Sequence, residues 1–160
     1  MNAKPDSARM SAATAAEELL ARILYAEAGR RPVRAIEGLA CLAMNRARAA
    51  MVSAEARLRF TGGDAPGSLP RALIAVLRAP FQFQVRHFHH PQHARFAEPL
   101  ENDPALAVCR RVAARALGGA LRDSTGEALH WHDDARLPAW ALGRIPAVEA
   151  GGISFYRLDA

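Results

Sequence analysis

LLARILYAEAGR, Leu19 to Arg30, has the pattern of an amphipathic helix nearing its end, with one residue out of keeping. Leu20, Ile23 and Leu24 lie seven, four and three residues before Glu27, so all four side chains share one helical stripe. A carboxylate on an apolar stripe opposes burial. It also falls two residues before Gly29, which reads as the helix stop, where the partial negative charge of the helix end disfavours a second negative charge. Both effects raise the pKa of a carboxyl group, so the local sequence predicts an acid that holds its proton near neutral pH. A general acid needs that property, and a glutamic acid protonating a glycosidic oxygen from an apolar pocket is one known use of it. The plainer alternative is a glutamate at the core edge whose carboxylate reaches water.

Outward from this stretch the helices are marked by their ends. Ser11 or Thr14 caps the first helix, which runs to about Ala28, with Glu18 and Arg22 in the favourable i,i+4 order. Pro32 opens a second, VRAIEGLACLAMNRARAAM, whose Val33, Ile36, Leu39, Ala40, Ala43 and Ala47 form a long apolar stripe and predict the central buried helix. After the loop TGGDAPGS, Ser68 caps LPRALIAVLRA, closed by Pro80. From Ala79 to Asp103 no period dominates, and long irregular stretches in compact domains tend to carry function. Asp103-Pro104 then starts another helix, which ends at the pair Gly118-Gly119. Beyond it the texture changes, and ALHWHD and GISFYRL read as short strands. The expected fold is α+β, mainly helical, with a small C-terminal β-part. Residues 1–13 read as a loose tail and 14–160 as a single domain.

Composition narrows the function. A chain of 160 residues can bury roughly 70% of its unfolded surface in one core. No segment approaches the ~20 apolar residues of a membrane span, so stable membrane insertion is not expected. The first twenty residues lack the apolar run of a secretory signal, so a target outside the cytoplasm would require a partner, another export route or a signal outside this sequence. A net charge of +5 favours anionic polymers, nucleic acid and bacterial wall material alike. The arginines are scattered and no nucleic-acid module signature accompanies them, so nucleic acid is not the expected partner. Cys41 and Cys109 define neither a disulfide framework nor a zinc site and read as buried thiols. No Gly-x-Ser-x-Gly elbow or phosphate-binding glycine loop is present.

Histidines are the second set that could do chemistry. His130 and His132 alternate on a strand and share one face, and a third ligand from His87, His89, His90 or His93 would complete a zinc site. These loop histidines lack a metal-ligand spacing, and the alternative is that His130 and His132 line a polar groove while Trp131 packs inward. Asp133 and Asp134 stand beside them. The aromatics Tyr25, Phe81, Phe83, Phe88, Trp131, Trp140, Phe155 and Tyr156 concentrate near the same segments and suit the flat faces of sugar rings.

Taken in order, LARILYAEAGRRP, LAMNRAR, PFQF, ALHWHDDARLPAWA and GGISFYR resemble the cell wall hydrolase family that includes the spore cortex-lytic enzymes, over about Glu18 to Leu158. The resemblance implies a lysozyme-like domain, a helical part and a small antiparallel β-part flanking a groove, that cleaves peptidoglycan glycan strands. It implies a muramidase-type reaction, as in a lytic transglycosylase, without metal or organic cofactor; the alternatives are a metal-dependent peptidoglycan hydrolase using His130 and His132, and a wall-binding module without turnover. The family's catalytic glutamate matches Glu27 within Tyr25-Ala26-Glu27-Ala28. By the same resemblance Tyr25, Gln82, Phe83, His130, His132, Trp140 and Tyr156 are substrate-binding positions, and Asn45-Arg46 matches the pair ending the central helix. Two departures stand out: Ala26 replaces a glycine, and Arg30-Arg31 occupies the place of a second Gly-Glu. Glu37 reads as a surface residue, and Asp133 or Asp134 as a possible water-positioning acid. The sequence gives no oligomeric state.

Overall fold

The structure is a computed structural model that describes residues 10–63, 66–80 and 82–158. Among these described residues, six helices surround an apolar core, and a three-stranded sheet closes one side. The first helix, α1, spans Ala12–Ala28; Ser11 is its cap, the hydroxyl accepting the Thr14 N–H at 3.1 Å. Residues 12 and 13, expected in the tail, therefore form its first turn, while the expectation for residues 1–9 lies outside the described residues. Leu20, Ile23 and Leu24 are fully buried, as the wheel requires. Burial of each such side chain is worth about 1.5–3 kcal/mol.

The central helix, α2, spans Val33–Val52 and buries Ile36, Leu39, Ala40, Ala43 and Ala47. Val33, expected on that stripe, is half exposed in the first turn, before the helix has entered the core. A helix not expected from the sequence, α3 (Ala54–Thr61), follows at once: Ser53 ends α2 and caps α3, accepting the Ala56 N–H. Then come α4 (Leu69–Arg78), α5 (His93–Ala97) and α6 (Pro104–Leu117). Asp103 caps α6 through the Ala105 N–H at 2.9 Å and accepts the Tyr25 hydroxyl at 2.7 Å, fastening α6 to α1. The segment from Ala79 to Asp103 is otherwise irregular, with one 3₁₀ turn at Gln84–Arg86.

Strands β1 (His130–Asp133), β2 (Val148–Ala150) and β3 (Ile153–Tyr156) form an antiparallel sheet in the order β1-β3-β2. His130 lies opposite Tyr156 and Asp133 opposite Ile153, leaving β1 on an edge. β2 is too short to show alternation, but its hairpin partner follows through Gly151-Gly152, both at positive φ. The sheet meets α2 at Gly38, where an added Cβ would lie 2.7 Å from the Phe155 ring. Asn45 and Arg46 tie the other end of α2 to the approach to β1. Asn45 Nδ2 donates to Ala128 O and to Asp123, and Arg46 Nε donates to Leu129 O at 2.8 Å.

Candidate active site

Glu27 stands on the last turn of α1, half-buried, in an open cleft of about 230 Å³ lined also by Gly29, Arg31, Gln92, Arg95 and Asp133. The backbone N–H of Val85, in the 3₁₀ turn, donates to its carboxylate. Burial raises its pKa to about 7; the negative charge of Asp133 raises it too, while the Val85 N–H and the Arg31 cation act against the rise. The proton-holding acid expected from the helix wheel is present. Gly29 ends α1 as expected, in a right-handed conformation with φ −60°. It is required by close approach: a Cβ there would lie 2.5 Å from Tyr25 O and 3.0 Å from Arg95 Nη2.

The 3₁₀ turn is held from below. His93 Nδ1 donates to Val85 O at 2.9 Å, fixing the peptide whose neighbour faces Glu27. Across the cleft, Arg31 Nη1 donates to Gly151 O at 2.9 Å and Nη2 pairs with Asp133 Oδ2. Val85, His93 and the Arg31–Asp133 pair were not singled out together by the sequence. A backbone donor leaves no residue-type signal, and Arg31 meets Asp133 only through the fold.

A second cleft of about 240 Å³ is lined by Arg46, Gln82, Gln84, His130, Trp131 and Trp140. Its Trp131 and the first cleft's Asp133 are two residues apart on β1, roughly 6.6 Å. His130 and His132 share the opposite face, as expected, and both pack against Trp140, with ring centroids 5.8 Å away in each case. Trp131 stacks on Phe83. Trp140 is 38% exposed and offers an open indole surface. Burial, aided by the charges of Arg46, Arg59 and Arg144, lowers the His130 pKa to about 4, so its ring is neutral.

Three of the expected substrate contacts are placed otherwise. Tyr25 is fully buried beneath the Arg95 guanidinium, 4.0 Å from its ring centre, with its hydroxyl spent on Asp103. Phe83 and Tyr156 are each 3% exposed. Phe83 supports Trp131 and lies under Arg46, and Tyr156 donates its hydroxyl to His132 Nε2 at 2.8 Å. These rings form the wall behind the clefts because aromatic area in so small a domain is drawn into the core. His132 is also largely enclosed: its Nδ1 donates to Asp133 O, which leaves Nε2 to accept from Tyr156. Gln82 accepts from Arg46 Nη1 at 2.9 Å and donates to Arg59 O at 3.3 Å, so its amide is oriented at both ends.

With both nitrogens of His132 engaged, the histidines do not converge. Among the described residues no group of three or more His, Cys, Asp or Glu side chains is arranged to hold a metal ion. Cys41 and Cys109 are buried and free, and Glu37 pairs with Arg115 at 2.9 Å, away from the cleft. Phe81 lies outside the described residues.

Helices carrying an acid at the end of α1, facing a small antiparallel sheet across an open cleft, define a lysozyme-like α+β domain. Among solved structures, the fold is similar to the catalytic domain of the Bacillus cereus SleB protein, with a TM-score of 0.60 and 18% identity over 98% of this chain and 100% of that one. It is also similar to the catalytic domain of the germination-specific lytic transglycosylase SleB from Bacillus anthracis, with a TM-score of 0.59 and 18% identity over 96% and 100% of the two chains. No protein-family model and no curated protein matches the chain. The shared fold is the one the sequence motifs imply.

Proposed function

We propose that the protein cleaves the glycan strand of peptidoglycan between N-acetylmuramic acid and N-acetylglucosamine, with Glu27 as the acting acid. The observation that carries this reading is a half-buried carboxyl group, protonated up to about pH 7, at an open cleft between helices and sheet. Its neighbour in fold from Bacillus anthracis is described as a lytic transglycosylase, which supports the same class of reaction here.

In the forward step Glu27 gives its proton to the glycosidic oxygen as the bond to C1 of muramic acid breaks and positive charge develops on the ring. The carboxylate so formed then takes the proton of the muramic C6 hydroxyl, whose oxygen closes on C1. The product is a 1,6-anhydro end, and Glu27 is protonated again. The Val85 N–H favours the charged form reached between the two steps, since its hydrogen bond acts to lower the Glu27 pKa. Trp140, His130 and the oriented Gln82 amide in the second cleft suit a neighbouring sugar, one by its flat face and two by hydrogen bonds. Positive charge suits an anionic wall polymer, and the place of action in this reading is the bacterial cell wall. No helix among the described residues is long and apolar enough to cross a membrane.

The test is release of soluble fragments from dye-labelled peptidoglycan between pH 5 and 9. The parent protein is expected to lose turnover as pH rises through about 7, when Glu27 gives up its proton, and Glu27→Gln to be inactive throughout. Equal release by both proteins would overturn the assignment.

A further inference from the structure

Arg31 joins the two walls of the Glu27 cleft. It lies between α1 and α2, yet its guanidinium reaches the sheet, where it donates to Gly151 O and pairs with Asp133. The hairpin turn leaves room for it: Gly152 has φ +84°, and a Cβ there would lie 2.5 Å from Arg31 Nη1. The second carboxylate oxygen of Asp133 accepts the Ala135 N–H at 2.9 Å. Asp133 is thus held at both oxygens.

The pairing does not hide the anion from the cleft. The Asp133 side chain is 45% exposed against 25% for Arg31. At Glu27, moreover, the charge of Asp133 is felt more strongly than that of Arg31. One cleft therefore carries two carboxyl groups with different habits, a protonated Glu27 and a fixed Asp133 anion.

Resting on the reading of Glu27 as the general acid, we propose that Asp133, fixed by Arg31, is the second working carboxylate of the site and stabilises the positive charge that develops on the sugar ring. No bond forms to Asp133 and no proton moves to it; its effect is electrostatic. Arg31 is a positioning residue, which sets where that charge stands.

Asp133→Asn tests this, since the amide oxygen can still accept from Arg31. Its turnover number is expected to fall on the order of 10²-fold, the usual cost of removing one preorganised electrostatic group, while KM changes by less than about threefold. The alkaline limb of its pH profile should also move to lower pH. The groups facing Glu27 that remain, the Val85 N–H, Arg30, Arg31 and Arg95, favour its charged form or leave it unchanged. A merely structural role would lower folded fraction without moving that limb. Glu149→Gln, at the exposed position of β2 and outside the lining of the cleft, serves as the unchanged control. Turnover within about threefold of the parent with an unmoved limb would overturn the proposal. If Asp133→Asn does not melt cooperatively, Arg31→Gln and Arg31→Lys decide: turnover should fall at least about tenfold in the first and be partly restored in the second, and equal parental turnover in both overturns it. Should Glu27→Gln remain active, the reading of Glu27 fails and this inference with it. Should Glu27→Gln be inactive while Asp133→Asn behaves as the parent, only this inference fails.

Discussion

Replacing Glu27 by glutamine should make the protein more stable, and only above the pH at which the glutamate would ionise. The side chain's pKa stands at about 7 in the folded protein against an ordinary value of 4.5, with burial the main cause. Because the folded state holds the proton more tightly than the unfolded chain, stability falls as pH rises through that window and levels off above it. At 1.36 kcal/mol per pH unit the ionised carboxylate costs the fold at most about 3 kcal/mol, less what solvent at the cleft mouth screens. Glutamine has the same shape and offers its amide oxygen to the Val85 N–H, but carries no charge to desolvate. Thermal unfolding of parent and Glu27→Gln at pH 5 and pH 8.5 reads the difference. At pH 5, only about half a unit above the unfolded value, the variant should be ahead by no more than about 1 kcal/mol. At pH 8.5 the variant should be ahead by up to about 3 kcal/mol, a melting temperature higher by up to about 10 °C for a domain of this size. A gap that does not change with pH, or a variant less stable at pH 8.5, would refute the assignment of a burial-raised proton to Glu27.

Three further outcomes follow from particular contacts. Arg46→Met removes a buried guanidinium that donates to Leu129 O and Gln82, orphaning both acceptors, and should lower stability by about 2–4 kcal/mol in urea unfolding. Gly38→Ala gains helix propensity but drives a methyl group into the Phe155 ring, and should lose about 1–2 kcal/mol net, measured by the denaturation midpoint. Trp140→Ala, which strips the open face of the second cleft, should weaken glycan binding by about 1.4 kcal/mol, a roughly tenfold rise in KM with turnover largely kept.

Much of the helical part can be read locally, since caps and periodicity are properties of neighbouring residues. Ser11, Ser68 and Asp103 mark helix starts, and the 3.6-residue period places Glu27 against Leu20, Ile23 and Leu24. α3 escapes because AEARLRFT is mostly polar and buries only Phe60 and Thr61, leaving little periodic signal. β2 escapes because three residues cannot display alternation. In the site, Glu27 and the shared face of His130 and His132 are legible from spacing. Burial of Tyr25, Phe83 and Tyr156 is not, because an aromatic residue beside a groove and one behind it look alike in sequence. The Arg31–Asp133 pair, joined only when the β2–β3 turn docks against the start of α2, is a product of tertiary packing.

Mass spectrometry of the soluble fragments released from purified peptidoglycan, by the parent protein and by Glu27→Gln in parallel, reads both the reaction and its dependence on Glu27. 1,6-Anhydromuramic ends are expected from the parent and no fragments from Glu27→Gln. Identical fragments from both proteins, or none from the parent on wall material that a control lysozyme digests, would contradict the proposed cleavage by Glu27.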